Sequence, residues 1–405
     1  MKVMLVDEFK IVNYAGGIEH VLCNFANEFV KRNYQVVLVG LDTEKGVPAF
    51  DLDSKVKFIN LCYDVPRKPY ICAAYYWQKA KKEILRAIGG PKLIIHDKKR
   101  KDPKKEYFKN EFIRRLNIIV QQEQPDIIID VGSFIATIVN KAIQEFPSIA
   151  HVSMCHTDAY GCTKQMSAEE INAWKKCDAV QVLMPSYVTP VKKLGIHHVV
   201  YIPNIVPQIA KENTTNLETC HHTIINVGRV EEVQKRQHLL IKAFAKIAGK
   251  YPDWKVKIYG QIDNNGYTKA LRKLISSYHL EDRIIFCGTT KKIQECLAQA
   301  DIFAFPSASE GFGLALTEAM AMGIPAIGYR SCSAVNELIK HGENGLLCED
   351  GIDDFATKLE FLIKNQALRI QMGAKAHEDM KEYAPNRIWD MWEKLICNYA
   401  NIELK

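Results

Sequence analysis

At 405 residues, with 47% hydrophobic and 25% charged side chains, the chain is too long for one ordinary core, long enough for two domains, and unlike a disordered or fibrous protein in composition. No apolar run approaches the roughly 18 residues of a membrane-crossing helix, and the 12 cysteines include no Cys-x-x-Cys pair, which argues against a zinc or disulfide framework and for reduced thiols. The net charge of +7 lies wholly in the first half, with 29 basic against 22 acidic residues in 1–204 and 25 against 25 in 205–405; no nucleic-acid motif accompanies it, so nucleic acid is not an expected partner.

The start, Met1-Lys2-Val3-Met4-Leu5-Val6-Asp7, turns acidic too soon for a signal peptide, which predicts a cytoplasmic protein. Residues 1–6 and Gln35–Gly40 read as strands, joined by a helix whose Val21, Leu22, Phe25, Ala26 and Phe29 recur at helical spacing. In the connecting loop, Gly16 and Gly17 precede the helix N-terminus; this is either an anion site or a turn whose backbone needs glycine. Neither Gly-x-Gly-x-x-Gly nor a Walker lysine is present.

Residues 63–110 interrupt the alternation of strands and helices. Arg67, Lys68, Lys79, Lys81, Lys82 and Arg86 mix with Tyr70, Tyr75, Tyr76 and Trp77, and the basic run Lys98-Lys99-Arg100-Lys101 and Lys104-Lys105 follows. The next helix carries Phe108, Phe112, Leu116 and Ile119 on one face, with Lys109, Arg114 and Arg115 beside it. Two readings stand open: an interface with anionic lipid head groups, worth about 1 kcal/mol per basic residue, or a solvated loop and a core-facing helix.

Alternation resumes with strands at Asp126–Val131, Ser148–Met154 and Ala179–Leu183 and helices near 134–145 and 167–175. His156 lies just past the middle strand, where open α/β sheets bind ligands, and His151 within that strand is a competing candidate. After a strand at Val199–Ile202, Pro203-Asn204-Ile205-Val206-Pro207 and a polar stretch to 220 read as a linker. The predicted division is 1–204, 205–384 and a last helix, 385–405, containing Trp389 and Trp392.

In the second half a strand, Thr223–Val227, ends in Gly228-Arg229, with Lys235 six residues on; two permanent cations there can hold a diphosphate. Strands at Lys255–Tyr259 and Ile284–Phe286 follow, and their loops, Gly260-Gln261 and Cys287-Gly288-Thr289, are placed to flank a nucleotide base. The stretch that organises the chain is Ile302-Phe303-Ala304-Phe305, a buried strand, running into Ser307-Ala308-Ser309-Glu310-Gly311-Phe312-Gly313-Leu314-Ala315-Leu316-Thr317-Glu318. Gly311 and Gly313 allow close approach of a ligand to the N–H groups of the following helix, while Glu310 in the turn and Glu318 inside the helix can accept hydroxyls.

Glu-x7-Glu around Gly-Phe-Gly, with Gly228-Arg229 and Lys235, resembles the retaining glycosyltransferases of family 4. That resemblance implies an α/β protein of GT-B architecture, two Rossmann-like doubly wound domains facing a deep cleft, with the last helix crossing back to the first domain. It implies that Gly16 and Gly17 lie against the donor diphosphate and the acceptor, that Gly228, Arg229 and Lys235 hold the diphosphate with Gly311, Phe312, Gly313 and Leu314, that Glu310 holds sugar hydroxyls, Glu318 the ribose, and His156 the reacting face. Departures are Ile205 where the family has a glycine after Pro-Asn, and Ser333-Ala334-Val335-Asn336-Glu337 where it often has Gly-Gly-x-Pro-Glu.

The expected activity is hexosyl transfer, with retention, from a UDP-hexose or UDP-N-acetylhexosamine to a glycan or lipid-linked acceptor in surface polysaccharide synthesis. No metal or other cofactor is expected, since neither Asp-x-Asp nor a His/Cys cluster of ligand spacing is present. The basic insertion would bring the enzyme to anionic lipid at the inner face of a membrane. The alternatives are a GT-B epimerase or hydrolase acting on a nucleotide sugar, and a non-catalytic protein that binds a membrane or polyanion.

Overall fold

The computed structural model describes residues 1–7, 11–13, 16–70 and 103–400, with Ala73, Tyr76, Trp77, Lys79, Ala80 and Ile84 between them. Tyr75, Lys81, Lys82, Arg86 and Lys98–Lys101 of the basic insertion lie outside the described residues.

In chain order the first half contains β1 (Lys2–Val6), α1 (Gly17–Lys31), β2 (Gln35–Gly40), β3 (Lys57–Asn60), α2 (Pro103–Glu123), β4 (Ile127–Val131), α3 (Ser133–Ala142), β5 (Ala150–Cys155), α4 (Ala159–Gln165), α5 (Ala168–Lys176), β6 (Ala179–Val182), α6 (Val188–Lys192) and β7 (Val199–Tyr201). The second contains β8 (Thr223–Val227), α7 (Gln237–Ile247), β9 (Lys255–Tyr259), α8 (Gly266–Ser277), β10 (Ile284–Gly288), α9 (Ile293–Leu297), β11 (Ile302–Phe305), α10 (Leu314–Ala321), β12 (Ala326–Tyr329), α11 (Val335–Leu338), β13 (Gly345–Cys348), α12 (Ile352–Lys364), α13 (Gln366–Asp379) and α14 (Pro385–Tyr399).

The strands form two parallel sheets, seven-stranded in the order β3-β2-β1-β4-β5-β6-β7 and six-stranded in the order β10-β9-β8-β11-β12-β13. Every residue of β4, β5 and β11 is buried, as expected of strands covered by helices on both faces. In each sheet the order reverses once, between β1 and β4 and between β8 and β11. Crevices open beyond the strand ends at such reversals, and the loop after β11 carries Glu310 at one of them.

The last helix, α14, starts on Pro385 and sets Trp389 and Trp392 against Phe25 of α1, with ring centroids 4.8 and 4.9 Å apart, while Arg32 pairs with Glu393 at 2.8 Å. It thus completes the core of the seven-stranded sheet from the far end of the chain.

The cations expected beside the apolar face of α2 are engaged within the fold. Arg115 is only 3% exposed and donates to the Leu61 carbonyl at 2.6 Å and to Glu111, because a buried guanidinium has to find acceptors. Arg114 bonds the Pro66 carbonyl and Glu111, and Lys109 pairs with Glu169 at 2.8 Å. Phe112, Leu116 and Ile119 are buried as the helical spacing predicts, but Phe108 is 42% exposed and lies under the Arg67 guanidinium at 4.9 Å.

Candidate active site

At the end of β8, the loop 229–236 is shaped from inside by Glu231, whose carboxylate accepts the N–H groups of Val233 and Gln234 at 2.8 and 2.6 Å. It is fastened to the loop after β11 by Gln234, which accepts from Ala308 N–H and donates to the Ser309 carbonyl, and by Arg236, which donates to the carbonyls of Pro306 and Ser307 at 2.9 Å. Arg236 holds φ at +51° to do so and lies over the Tyr329 ring at 4.7 Å. Between these two anchors Lys235 is aimed at Glu310, Nζ to Oε1 2.6 Å. Gln234 and Arg236 are residues that sequence reasoning missed, and a polar surface loop carries no periodic signal that would reveal them.

Glu310 is 6% exposed. The next residue, Gly311, touches the other domain: a Cβ built there would lie 2.3 Å from the His156 carbonyl oxygen, so only glycine allows the two backbones to meet. Gly313 has φ +84° and caps α10, turning the chain into the helix. Phe312 is buried against the Tyr383 ring, with centroids 5.4 Å apart, so its side chain belongs to the core and only its backbone can serve a ligand. Leu314 faces Gly17 across the gap, 3.8 Å from where a Cβ on Gly17 would stand.

Gly16 has φ −101°, and neither Gly16 nor Gly17 holds a positive φ. The reading that this turn needs glycine for a left-handed backbone is therefore set aside. Glu19, in the first turn of α1, is nearly buried. Burial raises its carboxyl, against the opposing pull of its own backbone N–H and of the Arg229 guanidinium across the gap. Arg229 is exposed, and its guanidinium makes no ion pair or hydrogen bond among the described residues.

The two histidine candidates separate clearly. His151 is sealed in the sheet, its Nε2 2.5 Å from Asp130 and its Nδ1 3.1 Å from Asn140, with the Cys177 thiol beside it. It is a structural group. His156 stands at the mouth of β5, Nε2 3.4 Å from the Met154 sulfur, and burial pushes its imidazole down to about 4, so it is neutral at pH 7. The Glu318 carboxyl, a turn into α10, has no hydrogen-bond or ion-pair partner among the described residues, and burial raises it to about 7. Among the described residues, no three His, Cys, Asp or Glu side chains are grouped to hold a metal ion.

The departure at 333–337 has a structural counterpart. Ala334 is fully buried and holds φ +65°, ψ −48°, a conformation glycine adopts far more readily. Glu337 turns toward the first domain and accepts hydrogen bonds from Ser186, through its Oγ and, at 3.4 Å, its N–H. Tyr187 donates its hydroxyl to the Glu310 carbonyl at 2.5 Å. Neither Ser186 nor Tyr187 is singled out by sequence reasoning.

Residues 209–387 match the family model described as Glycosyl transferases group 1. This segment is similar to that family. The group 1 segment contains Gly228, Arg229, Lys235, Glu310 and Glu318, whereas Gly16, Gly17 and His156 come from the half before it. The chain is similar to an uncharacterized glycosyltransferase of Haemophilus influenzae, 26% identical over 390 residues, covering 95% of this chain and 97% of the relative. It is similar to the N-acetyl-alpha-D-glucosaminyl L-malate synthase of Bacillus anthracis, 32% identical over 207 residues, covering 50% of each chain. Among solved structures, a TarM mutant of S. aureus in complex with Fondaparinux, alpha-GlcNAc-glycerol and UDP superposes with a TM-score of 0.73 at 18% identity, covering 98% of this chain and 99% of that one. The likeness shows the fold: two parallel-sheet domains in the GT-B arrangement.

Proposed function

We propose that the chain is a retaining glycosyltransferase of the family 4 type, which moves a hexose or N-acetylhexosamine from a UDP-sugar to a hydroxyl of a glycan or lipid-linked acceptor in surface polysaccharide synthesis. The observation that carries this reading is the Lys235–Glu310 pair, set where β8 and β11 part and facing the His156 loop. The names of the B. anthracis relative and of the S. aureus complex support an N-acetylglucosaminyl donor carried on UDP.

In this reaction the bond from the anomeric carbon to the diphosphate breaks, a bond from that carbon to the acceptor oxygen forms on the same face, and the acceptor hydroxyl gives its proton to the departing diphosphate oxygen. Charge grows on the departing diphosphate. Arg229, Lys235 and the first N–H groups of α10 oppose it, and losing one such donor typically costs about 10²–10³ in rate. Glu310 takes sugar hydroxyls, Glu318 the ribose, and His156, as a neutral ring, bonds the sugar at the reacting face. Because side-chain cations serve the diphosphate, turnover is expected to persist in EDTA.

The test is product analysis with UDP-N-acetylglucosamine and UDP-glucose: acceptor-dependent UDP release with a glycoside of unchanged anomeric configuration supports the proposal. Free sugar or an epimer would instead favour the hydrolase or epimerase, and absence of any turnover would favour a binding protein.

Trp77 and Tyr76 are 73% and 60% exposed in the basic first half, which supports contact with anionic lipid at the inner face of a membrane. No helix among the described residues is long and apolar enough to cross one. Co-sedimentation with vesicles should rise with their phosphatidylserine content; no dependence would remove this part of the proposal.

A further inference from the structure

Beyond β6, Met184 leads into a single tight turn, Pro185–Tyr187, at the strand-end edge of the first sheet. Two consecutive side chains on this turn cross to the second domain and reach different loops of it. Ser186 donates to the Glu337 carboxylate on α11, and Tyr187 donates to the Glu310 carbonyl in the turn before α10. The Tyr187 ring is fully buried and meets the Tyr160 ring at an interplanar angle of 80° with centroids 6.0 Å apart, and the Tyr160 hydroxyl in turn donates to the Ser186 carbonyl at 3.3 Å. A buried phenol left without an acceptor loses the full desolvation of its hydroxyl, so parting the domains costs this contact unless water replaces it.

The carbonyl that Tyr187 holds belongs to the residue whose carboxylate meets Lys235. Gly311, the next residue, is the one pressed against the His156 carbonyl. Arg229, Lys235 and Glu318 all stand on the second domain alone. The cations and the ribose-facing acid therefore stand on one domain, while the backbone of Glu310 is held from the other side.

We infer that Tyr187 is a positioning residue for sugar transfer: its hydroxyl fixes the backbone of Glu310, and so the aim of the Glu310 carboxylate, only when the domains are closed, with Ser186 and Glu337 as the latch of that closed state. The inference rests on the transferase reading for its catalytic consequence, and on geometry alone for the latch. Closure and placement of the sugar-holding acid are one event in this arrangement, so a nucleotide alone can bind without committing the site.

The full chain and its Tyr187→Phe, Ser186→Ala and Glu337→Gln variants test this with UDP as the binding probe and UDP-N-acetylglucosamine and UDP-glucose as donors. In Tyr187→Phe, UDP affinity by calorimetry should stay within about twofold, and amide hydrogen exchange over 310–314 should quicken about tenfold while the strands of both sheets exchange as before. Turnover should fall about tenfold with little change in donor KM. Ser186→Ala and Glu337→Gln should act in the same direction, and their double variant no further than either alone. Unchanged exchange over 310–314 would overturn the latch, as would a uniform rise across both sheets, which marks a purely structural tyrosine. Quickened exchange with wild-type kcat would overturn the positioning role. If the wild-type chain turns over neither donor, the transferase reading falls, and the exchange measurements still decide the latch.

Discussion

Lys235 and Glu310, 75 residues apart in sequence, meet at 2.6 Å, and both side chains are largely shielded from water. An ion pair so placed is held less by its own attraction than by the two loops clamped around it, through Gln234 and Arg236. A diphosphate arriving at this point meets a cation already oriented.

Lys235→Ala should therefore lower kcat by about 10²–10³ and weaken UDP binding, while the circular dichroism spectrum stays that of the wild type. Steady-state kinetics with the preferred nucleotide sugar checks it; turnover within about threefold of wild type would remove Lys235 from the chemistry.

Glu318 makes a prediction in pH. Its carboxyl is raised by burial from 4.5 to about 7, so between those values the folded chain holds a proton that the unfolded chain has released. The sign follows: this group's contribution to stability is most favourable below the unfolded value and is lost as pH rises through the folded one. The thermal midpoint of Glu318→Gln should fall less than that of the wild type between about pH 5 and pH 8. Since a carboxylate accepts ribose hydroxyls better than the acid does, UDP affinity should rise through pH 7 in the wild type and not in the variant. Calorimetry at three pH values decides this.

Ala334 should tolerate a change that usually harms. Ala→Gly at a buried position loses a methyl, about 0.8 kcal/mol, and adds unfolded-state entropy worth about 0.4–1 kcal/mol. At Ala334 relief of a backbone held at φ +65° returns about 1–3 kcal/mol, so the stability of Ala334→Gly should match or exceed wild type. Ala243→Gly, at a buried site in α7, should lose stability in the ordinary way. Urea midpoints of both variants make the comparison, and equal losses would show that the strain at 334 is negligible.

Gly311→Ala should damage activity without unfolding the chain. The added methyl would meet the His156 backbone at 2.3 Å, and since backbone cannot swing aside, the two domains must separate locally. Loss of turnover with UDP affinity retained is the expected pattern; wild-type kcat would show that the contact does not matter for transfer.

Much of the site was legible because its signals are local. The run Ile302–Phe305 has to be buried, Gly313 has to cap the helix that follows, and Glu310 and Glu318 keep their spacing whatever surrounds them. The choice between His151 and His156 was not legible, since both sit on one strand and its edge, and only Asp130 on the neighbouring strand shows which of them is enclosed. Arg115 misled for a related reason: a cation beside an apolar stripe reads as surface, until the Leu61 carbonyl, 54 residues away, supplies its partner.

The sequence by itself determined two parallel α/β layers, the glycine turn before the helix, and the two cations with the two acids. Only the tertiary structure decided that Lys235 meets Glu310, that Tyr187 holds that acid from the opposite domain, and that Gly16 and Gly17 hold no positive φ. Hydrophobic period and backbone sterics act between near neighbours and leave their record in short stretches of sequence, whereas a hydrogen bond spanning 123 residues depends on how two separate sheets come to rest against each other.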